Sequence, residues 1–362
     1  RLEGEVLNTI SDLSGGQMGM ETEGLTVDPH QFLGIELNPR AAAIAEIVLW
    51  IGYLQWHYRI HGRLELPEPI LRDFRNIENR DALIEYDSRE PVLDDDGNPV
   101  TLWDGISYKE SPVTGELIPD ESQRIPVYRY HNPRKAEWPE AEYIVGNPPF
   151  ISKRKIRTAL GDGYTNALRE VFAGDVPDAS DLVMYWWDIA GRKAASKEIN
   201  AFGFITTNSI WQPFNGKVTE KFLSNEKKPL SIIFAVPDHP WSIAEGRASV
   251  RIAMTVAKSG LHSGRLCHVV SEVRTDSDSP LIELKERTGL IYANLTIGAD
   301  VNSALTLQSN SGITSKGVIP SPTKGFTLTK EQLKDVFGKE GPLPSVVKPY
   351  RNGSDISQSS RD

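Results

Sequence analysis

Residues 147–150, Asn-Pro-Pro-Phe, place a side-chain amide, two rigid prolines and an aromatic ring directly after the apolar run Tyr143-Ile144-Val145-Gly146. Such a run, bounded by turn residues, predicts a buried strand. A strand, a tight turn and a ring together present acceptors and a flat face at the carboxyl edge of a sheet, where open α/β sheets bind ligands. Pro148 and Pro149 have fixed φ and no N–H, so the loop cannot be absorbed into a helix or a ladder. Proline also biases the residue before it toward extended backbone, here Asn147 and Pro148. The Asn147 amide oxygen and the Pro148 carbonyl oxygen can then face one small space. Two acceptors suit the two hydrogens of an exocyclic amine, and Phe150 suits the ring that carries it. At average residue usage this tetrapeptide arises by chance at roughly one position in 250,000, so chance explains it poorly. The plainer alternative is a proline-stiffened loop with Phe150 in the core.

Glu36 stands at the end of a second apolar run, Phe32-Leu33-Gly34-Ile35, and precedes Asn38-Pro39. Asn as cap with Pro at the first helical position is a strong helix start. An acid at that place in a doubly wound sheet accepts hydrogen bonds from ribose hydroxyls; the alternative is a carboxylate stabilised by the helix dipole. The glycine-rich loop expected about 20 residues upstream is not supplied convincingly. Gly15-Gly16-Gln17-Met18-Gly19 has the distance, but a helix-spaced segment (Leu2, Val6, Leu7, Ile10, Leu13) precedes it rather than a strand. The first cofactor motif is therefore expected upstream of Arg1.

Lys153, Arg154, Lys155 and Arg157 follow the tetrapeptide closely and could hold phosphates. A charge run is more often a solvated helix face. Asp181, Tyr185, Trp186 and Trp187 could line a pocket, although aromatics at helical spacing more often pack in a core. Asp278, Glu283 and Lys285 loosely mimic a metal nuclease set, in a polar and poorly patterned segment. The seven histidines show no metal-ligand spacing, and no metal is expected.

The chain of 362 residues can hold one large domain or two ordinary ones, with 39% hydrophobic and 25% charged residues. Its single cysteine, Cys267, excludes an intramolecular disulfide and a multi-cysteine zinc site, which fits a reducing compartment and a cytoplasmic location. The longest apolar segment, Ala41 to Trp56, is broken by Glu46, Gly52 and Gln55 and reads as a buried helix rather than a membrane span. A net charge of −9 does not advertise nucleic acid, and a separate basic recognition region outside this sequence is the expectation that reconciles the two.

The elements that must position these residues follow from periodicity. A helix is predicted from Asn38-Pro39 to about His61, and a second αβ passage runs over 70–86. Residues 87–140 are polar and turn-rich and read as an inserted, hairpin-bearing excursion. A basic helix (Lys153 to about Ala159), an aromatic helix (Leu182–Ala195) and strands at 201–207, 230–236 and 248–257 complete the pattern. Beyond about residue 270 it weakens into a linker. The sum is an α/β, Rossmann-like fold with a mostly parallel sheet and a late antiparallel part. The expected division is 1–86, part of a cofactor-binding half; 87–140, insertion; 141–270, catalytic half; and 271–362, linker and start of a further domain.

The tetrapeptide resembles motif IV of the amino-methylating DNA methyltransferases. Other stretches point to one branch of these enzymes: Gly34-Ile35-Glu36-Leu37-Asn38-Pro39, Asn132 through Pro139, Thr207-Asn208-Ser209-Ile210, Asp238-His239-Pro240-Trp241 and Val347 through Gly353. Together they are similar to the type IIL restriction–methylation proteins and related methyltransferases of phage defence, in the gamma arrangement of motifs. The resemblance implies a class I fold using S-adenosylmethionine to methylate adenine N6 of a flipped base in duplex DNA. It implies Asn147, Pro148, Pro149 and Phe150 as catalytic, Glu36 and Asp81 as cofactor-binding, and Lys153, Arg154, Lys155 and Arg157 as DNA-binding. A carboxyl-terminal target-recognition domain and a nuclease domain or subunit are the partners it suggests. RNA adenine or a protein glutamine amide is an alternative substrate, and an inactive DNA-specificity module an alternative role.

Overall fold

The computed structural model describes residues 29–61, 76–103, 107–111, 117–120, 122–241, 250–273, 281–298, 307–310, 312–313, 326–338 and 344–349. The helix expected at 1–13, the glycine cluster at 15–19 and Asp278 lie outside these residues. Contacts divide the chain into two compact units, Arg1–Asn302 and Ser303–Asp362.

In the first unit, β1 (Gly34–Ile35) leads into α1 (Pro39–His61), and β2 (Ile77–Glu78) returns parallel to β1. Asn38 caps α1 as anticipated: its Oδ1 accepts from the N–H groups of Arg40 (2.9 Å) and Ala41 (3.2 Å). The run around β1 is less buried than expected, with Phe32 and Leu33 each 49% exposed. Among the described residues its ladder is two residues long with one partner, too little to enclose large side chains.

The excursion after residue 86 is built from nested antiparallel pairs. Its root is β3 (Ile84–Glu85) against β10 (Arg134–Lys135). Inside lie β4 (Ser88–Pro91) with β9 (Tyr128–His131), β5 (Thr101–Trp103) with β8 (Arg124–Pro126), and β6 (Tyr108–Glu110) with β7 (Leu117–Pro119). The acidic turn inside it is closed by Asp94 Oδ1, which accepts from the N–H groups of Asp96 and Asn98. Gly97 there has φ +83°, a conformation glycine adopts without strain.

The six-stranded main sheet has the order β11-β12-β14-β13-β15-β16. Its strands are β11 (Tyr143–Gly146), β12 (Ala201–Thr207), β13 (Leu230–Pro240), β14 (Arg251–Ser259), β15 (Gly264–Val273) and β16 (Leu281–Gly289). β11 with β12 and β13 with β15 are parallel; the other neighbours are antiparallel. Strand β16 falls where the sequence pattern had weakened. Most of its residues are exposed, so no alternation of apolar residues marked it.

Four helices link the strands: α2 (Ile156–Leu160), α3 (Asp162–Val171), α4 (Val183–Ala195) and α5 (Pro213–Leu223). On β12 alternate residues are buried, placing Phe202, Phe204 and Thr206 on one face. Trp187 of α4 packs edge-on to Phe202 at 5.0 Å and lies 5.6 Å from Phe222 of α5. Each such fully buried side chain contributes on the order of 2–3 kcal/mol by transfer alone. Tyr185 and Trp187, weighed above as pocket residues, are 1% and 0% exposed and belong to this core.

β11 departs from expectation in the other direction. Tyr143 is 64% and Val145 86% exposed. Among the described residues β11 is an edge of the sheet, and no described element covers that face. The second unit holds α6 (Lys330–Phe337), whose Thr329 and Gln332 form a reciprocal capping box. Among the described residues no helix is long and apolar enough to cross a membrane.

Candidate functional site at the carboxyl edge of the sheet

β11 and β12 run parallel, with Gly146 opposite Phe204, so both strands leave the sheet at the same edge. The turn of the chain there is tight: a Cβ on Gly146 would lie 3.1 Å from the Phe204 ring. Beyond Gly146, Asn147 is exposed, Pro148 buried, Pro149 exposed and Phe150 half-buried. The Asn147 amide makes no hydrogen bond to another described residue. Its acceptor and donors face outward at the sheet's carboxyl rim, beside a partly accessible ring.

The loop is pinned from beneath. Ile151 O accepts from Leu182 N at 2.9 Å, and Asp181 Oδ1 accepts from Lys153 N at 3.0 Å. The Asp181 carboxylate is 8% exposed, so its pocket-lining reading gives way to a buried one. Its Oδ2 accepts from Ser209 Oγ (2.6 Å) and Asn215 Nδ2 (2.9 Å). Ser209 sits in the short helical turn Asn208–Trp211 that follows β12.

The cations after the tetrapeptide separate into two kinds. Lys153, Arg154 and Lys155 are exposed in the turn before α2. Lys153 Nζ lies 5.0 Å over the ring of Phe214. Arg157 is exposed too, but its guanidinium is paired with Asp162 (2.7 Å) and Asn166 Oδ1 (3.0 Å).

Glu36 is half-buried between β1 and α1, and its Oε1 accepts from Asn38 N at 2.8 Å. That bond is the dipole-side role considered from sequence, and it leaves Oε2 for a hydroxyl donor. Asn79 holds this segment from the side, donating to the carbonyls of Glu36 and Leu37 at 2.9 Å each.

Asp81 is more heavily committed. Its Oδ1 accepts from Leu83 N (2.7 Å) and Ile84 N (3.3 Å), and its Oδ2 from Tyr164 Oη (2.7 Å). Burial, and then the charge and hydrogen bond of Asp81, push the Tyr164 phenol far above its ordinary range. Sequence reasoning did not find Tyr164, because its helix α3 is polar, preceded by Gly161 and carries Gly163 in its first turn. Ser209 stood out only within the stretch 207–210 and Asn215 not at all, since their bonds to Asp181 join residues distant in sequence.

A cavity of about 540 Å³ opens between the excursion and α2–α3, lined by Arg89, Trp103, Tyr128, Tyr130, Arg157 and Tyr164 among others. It includes neither Asn147 nor Phe150, so it is distinct from the rim. Among the described residues no group of three or more His, Cys, Asp or Glu could hold a metal ion.

An α/β domain with a mixed sheet and an outward-facing amide at the carboxyl end of a parallel strand is of the class that acts on ligands at that rim. A family model described as the MmeI DNA-methyltransferase domain matches residues 1–266, and the chain belongs to that family. Its fold is thus the class I fold of a restriction–modification DNA methyltransferase family. No curated protein matches the chain. Among solved structures, the type IIL restriction–modification enzyme MmeI in complex with DNA is 22% identical, with a TM-score of 0.48 over 82% of this chain and 33% of that one. This chain therefore corresponds to about a third of that enzyme's length. A modification subunit of a putative type I restriction enzyme from Vibrio vulnificus YJ016 is 12% identical, with a TM-score of 0.30 over 42% of this chain and 37% of that one. A type I methyltransferase subunit from Streptococcus thermophilus is 10% identical, with a TM-score of 0.28 over 41% of this chain and 31% of that one.

Proposed function

We propose that this chain is the methyl-transfer region of an adenine-N6 DNA methyltransferase that uses S-adenosylmethionine. The observation that carries the reading is the outward-facing, unpaired Asn147 amide at the end of β11, next to the half-buried Phe150. The Asn147 amide oxygen and the Pro148 carbonyl accept the two hydrogens of an exocyclic amine and orient its lone pair. Phe150 stacks on the extruded base. No strong general base is required, since two acceptors help the nitrogen pyramidalise while positioning supplies much of the rate. Lys153, Arg154 and Lys155 hold flanking phosphates; Arg157, tied to α3, contributes less.

S-adenosylmethionine supplies the methyl group when bound. Glu36 fits its ribose, because one carboxylate oxygen is fixed by Asn38 N and the other can accept a hydroxyl. Asp81, with both oxygens already accepting protein hydrogen bonds, fits the adenine amine only through its remaining lone pairs. The family description supports duplex DNA over RNA or a protein amide.

The test is transfer of labelled methyl from S-adenosylmethionine to duplex DNA by the full-length protein. Asn147→Ala is expected to lower transfer at least about 100-fold, the effect typical of losing one aimed hydrogen-bonding group, while cofactor affinity changes little. Wild-type transfer by that variant would sink the reading. Methylation of RNA or a protein amide, with none of DNA, would replace the substrate.

A further inference from the structure

We propose that Asp181 is a positioning residue for the Asn147–Phe150 loop, locking the exits of β11 and β12 into one geometry. This rests on the methyl-transfer reading above. Pro148 and Pro149 have no N–H, so the tetrapeptide has few backbone donors with which to hold itself in place. What holds it is the segment just behind. Lys153 N donates to Asp181 Oδ1 at 3.0 Å, and Ile151 O accepts from the neighbouring Leu182 N at 2.9 Å.

The same carboxylate reaches the exit of β12. Its Oδ2 accepts from Ser209 Oγ at 2.6 Å and from Asn215 Nδ2 at 2.9 Å. Asp181 N donates back to Asn215 Oδ1 at 2.9 Å, and Asn215 Nδ2 also reaches Ser209 O at 2.9 Å. Ser209 Oγ spends its proton on Asp181, so Thr207, 2.6 Å away, donates to Ser209. Thr207 is the last residue of β12. One acid, 8% exposed, thus accepts three hydrogen bonds from two segments that leave the sheet side by side. Three hydrogen bonds converging on one acceptor group away from water are individually stronger than in water, which suits fixing a loop rather than merely retaining it. Asp181 is buried behind the loop and acts through Lys153.

The experiment compares the full-length protein with Asp181→Asn and with the exchange Asp181→Asn/Asn215→Asp, using S-adenosylmethionine and duplex DNA. In the single variant only one acceptor oxygen remains, so the amide nitrogen faces either the Lys153 N–H or the donors of Ser209 and Asn215. Its kcat is expected to fall about 100-fold, as a loop displaced by about 1 Å would cause, with KM for DNA and cofactor within about threefold. The exchange restores a donor–acceptor pair and is expected to recover kcat to within about tenfold of the parent. Unchanged kcat in Asp181→Asn overturns the proposal. So does a rise in KM alone, or an exchange variant that regains the parent's melting temperature without regaining kcat.

Hydrogen exchange of the peptide spanning residues 150–155 gives an arm independent of turnover. Asp181→Asn is expected to speed it and the exchange variant to slow it again; no acceleration overturns the proposal. If the parent protein methylates no DNA, the methyl-transfer reading fails, and the hydrogen-exchange arm still decides whether Asp181 holds the loop.

Discussion

At the scale of single residues, the site divides between groups held ready and groups already committed. Asn147 belongs to the first kind, Asp81 and Asp181 to the second. Tyr164 is the clearest committed group, since its phenol donates to Asp81 at 2.7 Å. Its folded-state pKa is raised, by burial first and by Asp81 next, above the ordinary 10.0. The neutral phenol is therefore what the folded state favours. Its contribution is complete below the unfolded value and is lost as pH climbs from there toward the folded one. Unfolding followed between pH 8 and 12 is expected to show falling stability above about pH 10. Tyr164→Phe is expected to flatten that alkaline fall while costing about 1 kcal/mol at neutral pH, the net worth of an ordinary hydrogen bond. An alkaline limb unchanged in Tyr164→Phe would assign the effect to another group.

At the scale of elements, close approach decides which helices can dock. Helix α3 lies against β9, and a Cβ on Gly163 would sit 1.9 Å from the Tyr128 carbonyl oxygen and 2.9 Å from its carbon. Both neighbours are backbone, so neither can swing aside. Gly163→Ala is expected to destabilise by roughly 3 kcal/mol or more, at the upper end of overpacking costs, read as a lower urea midpoint. Because α3 also carries Tyr164, the same substitution should loosen the Asp81 turn. A second set of elements meets at Asp188 of α4, which is fully buried. Its partners are Lys135 of β10 (3.2 Å), Arg192 of α4 (2.9 Å) and Lys221 of α5, with Asp175 sharing Lys135 at 2.6 Å. The excursion's root is thereby tied to the helices behind the sheet. Asp188→Asn leaves three partly exposed cations undercompensated, with Asp175 still beside them, and is expected to cost about 1–3 kcal/mol. Thermal unfolding of the variant checks this; a shift of under about 2 °C would mean that Asp175 and water make up the lost contacts.

At the scale of the whole molecule, the site is a product of where two chain segments end. Asp81, before the excursion over residues 87–140, and Tyr164, after it, are 83 positions apart, yet they share a hydrogen bond. Likewise β11 and β12 are separated by three helices and still exit together. With a net charge of −9, the DNA binding proposed above would rest on local cations such as Lys153, Arg154 and Lys155 rather than on a global field.

Much of this was decided locally and so could be read from residue order. The cap at Asn38, the helix to His61, the turn-rich excursion and the strands expected at 201–207, 230–236 and 248–257 all follow from side-chain periodicity and backbone stereochemistry, although the second runs on to Pro240 and the third to Ser259. The tetrapeptide could be read for the same reason: prolines restrict their own backbone wherever they stand. Burial could not. Val145 and Trp187 are both large apolar residues in regular elements, yet one is 86% exposed and the other 0%. Whether an element lies at a sheet edge or under two helices is settled by long-range pairing, to which short sequence windows are blind. The pairing of β16, the commitment of Asp81 to Tyr164 and the convergence of Lys153, Ser209 and Asn215 on Asp181 were likewise set only in three dimensions. Those contacts join residues tens of positions apart, and a hydrogen bond has meaning only once both partners occupy the same place.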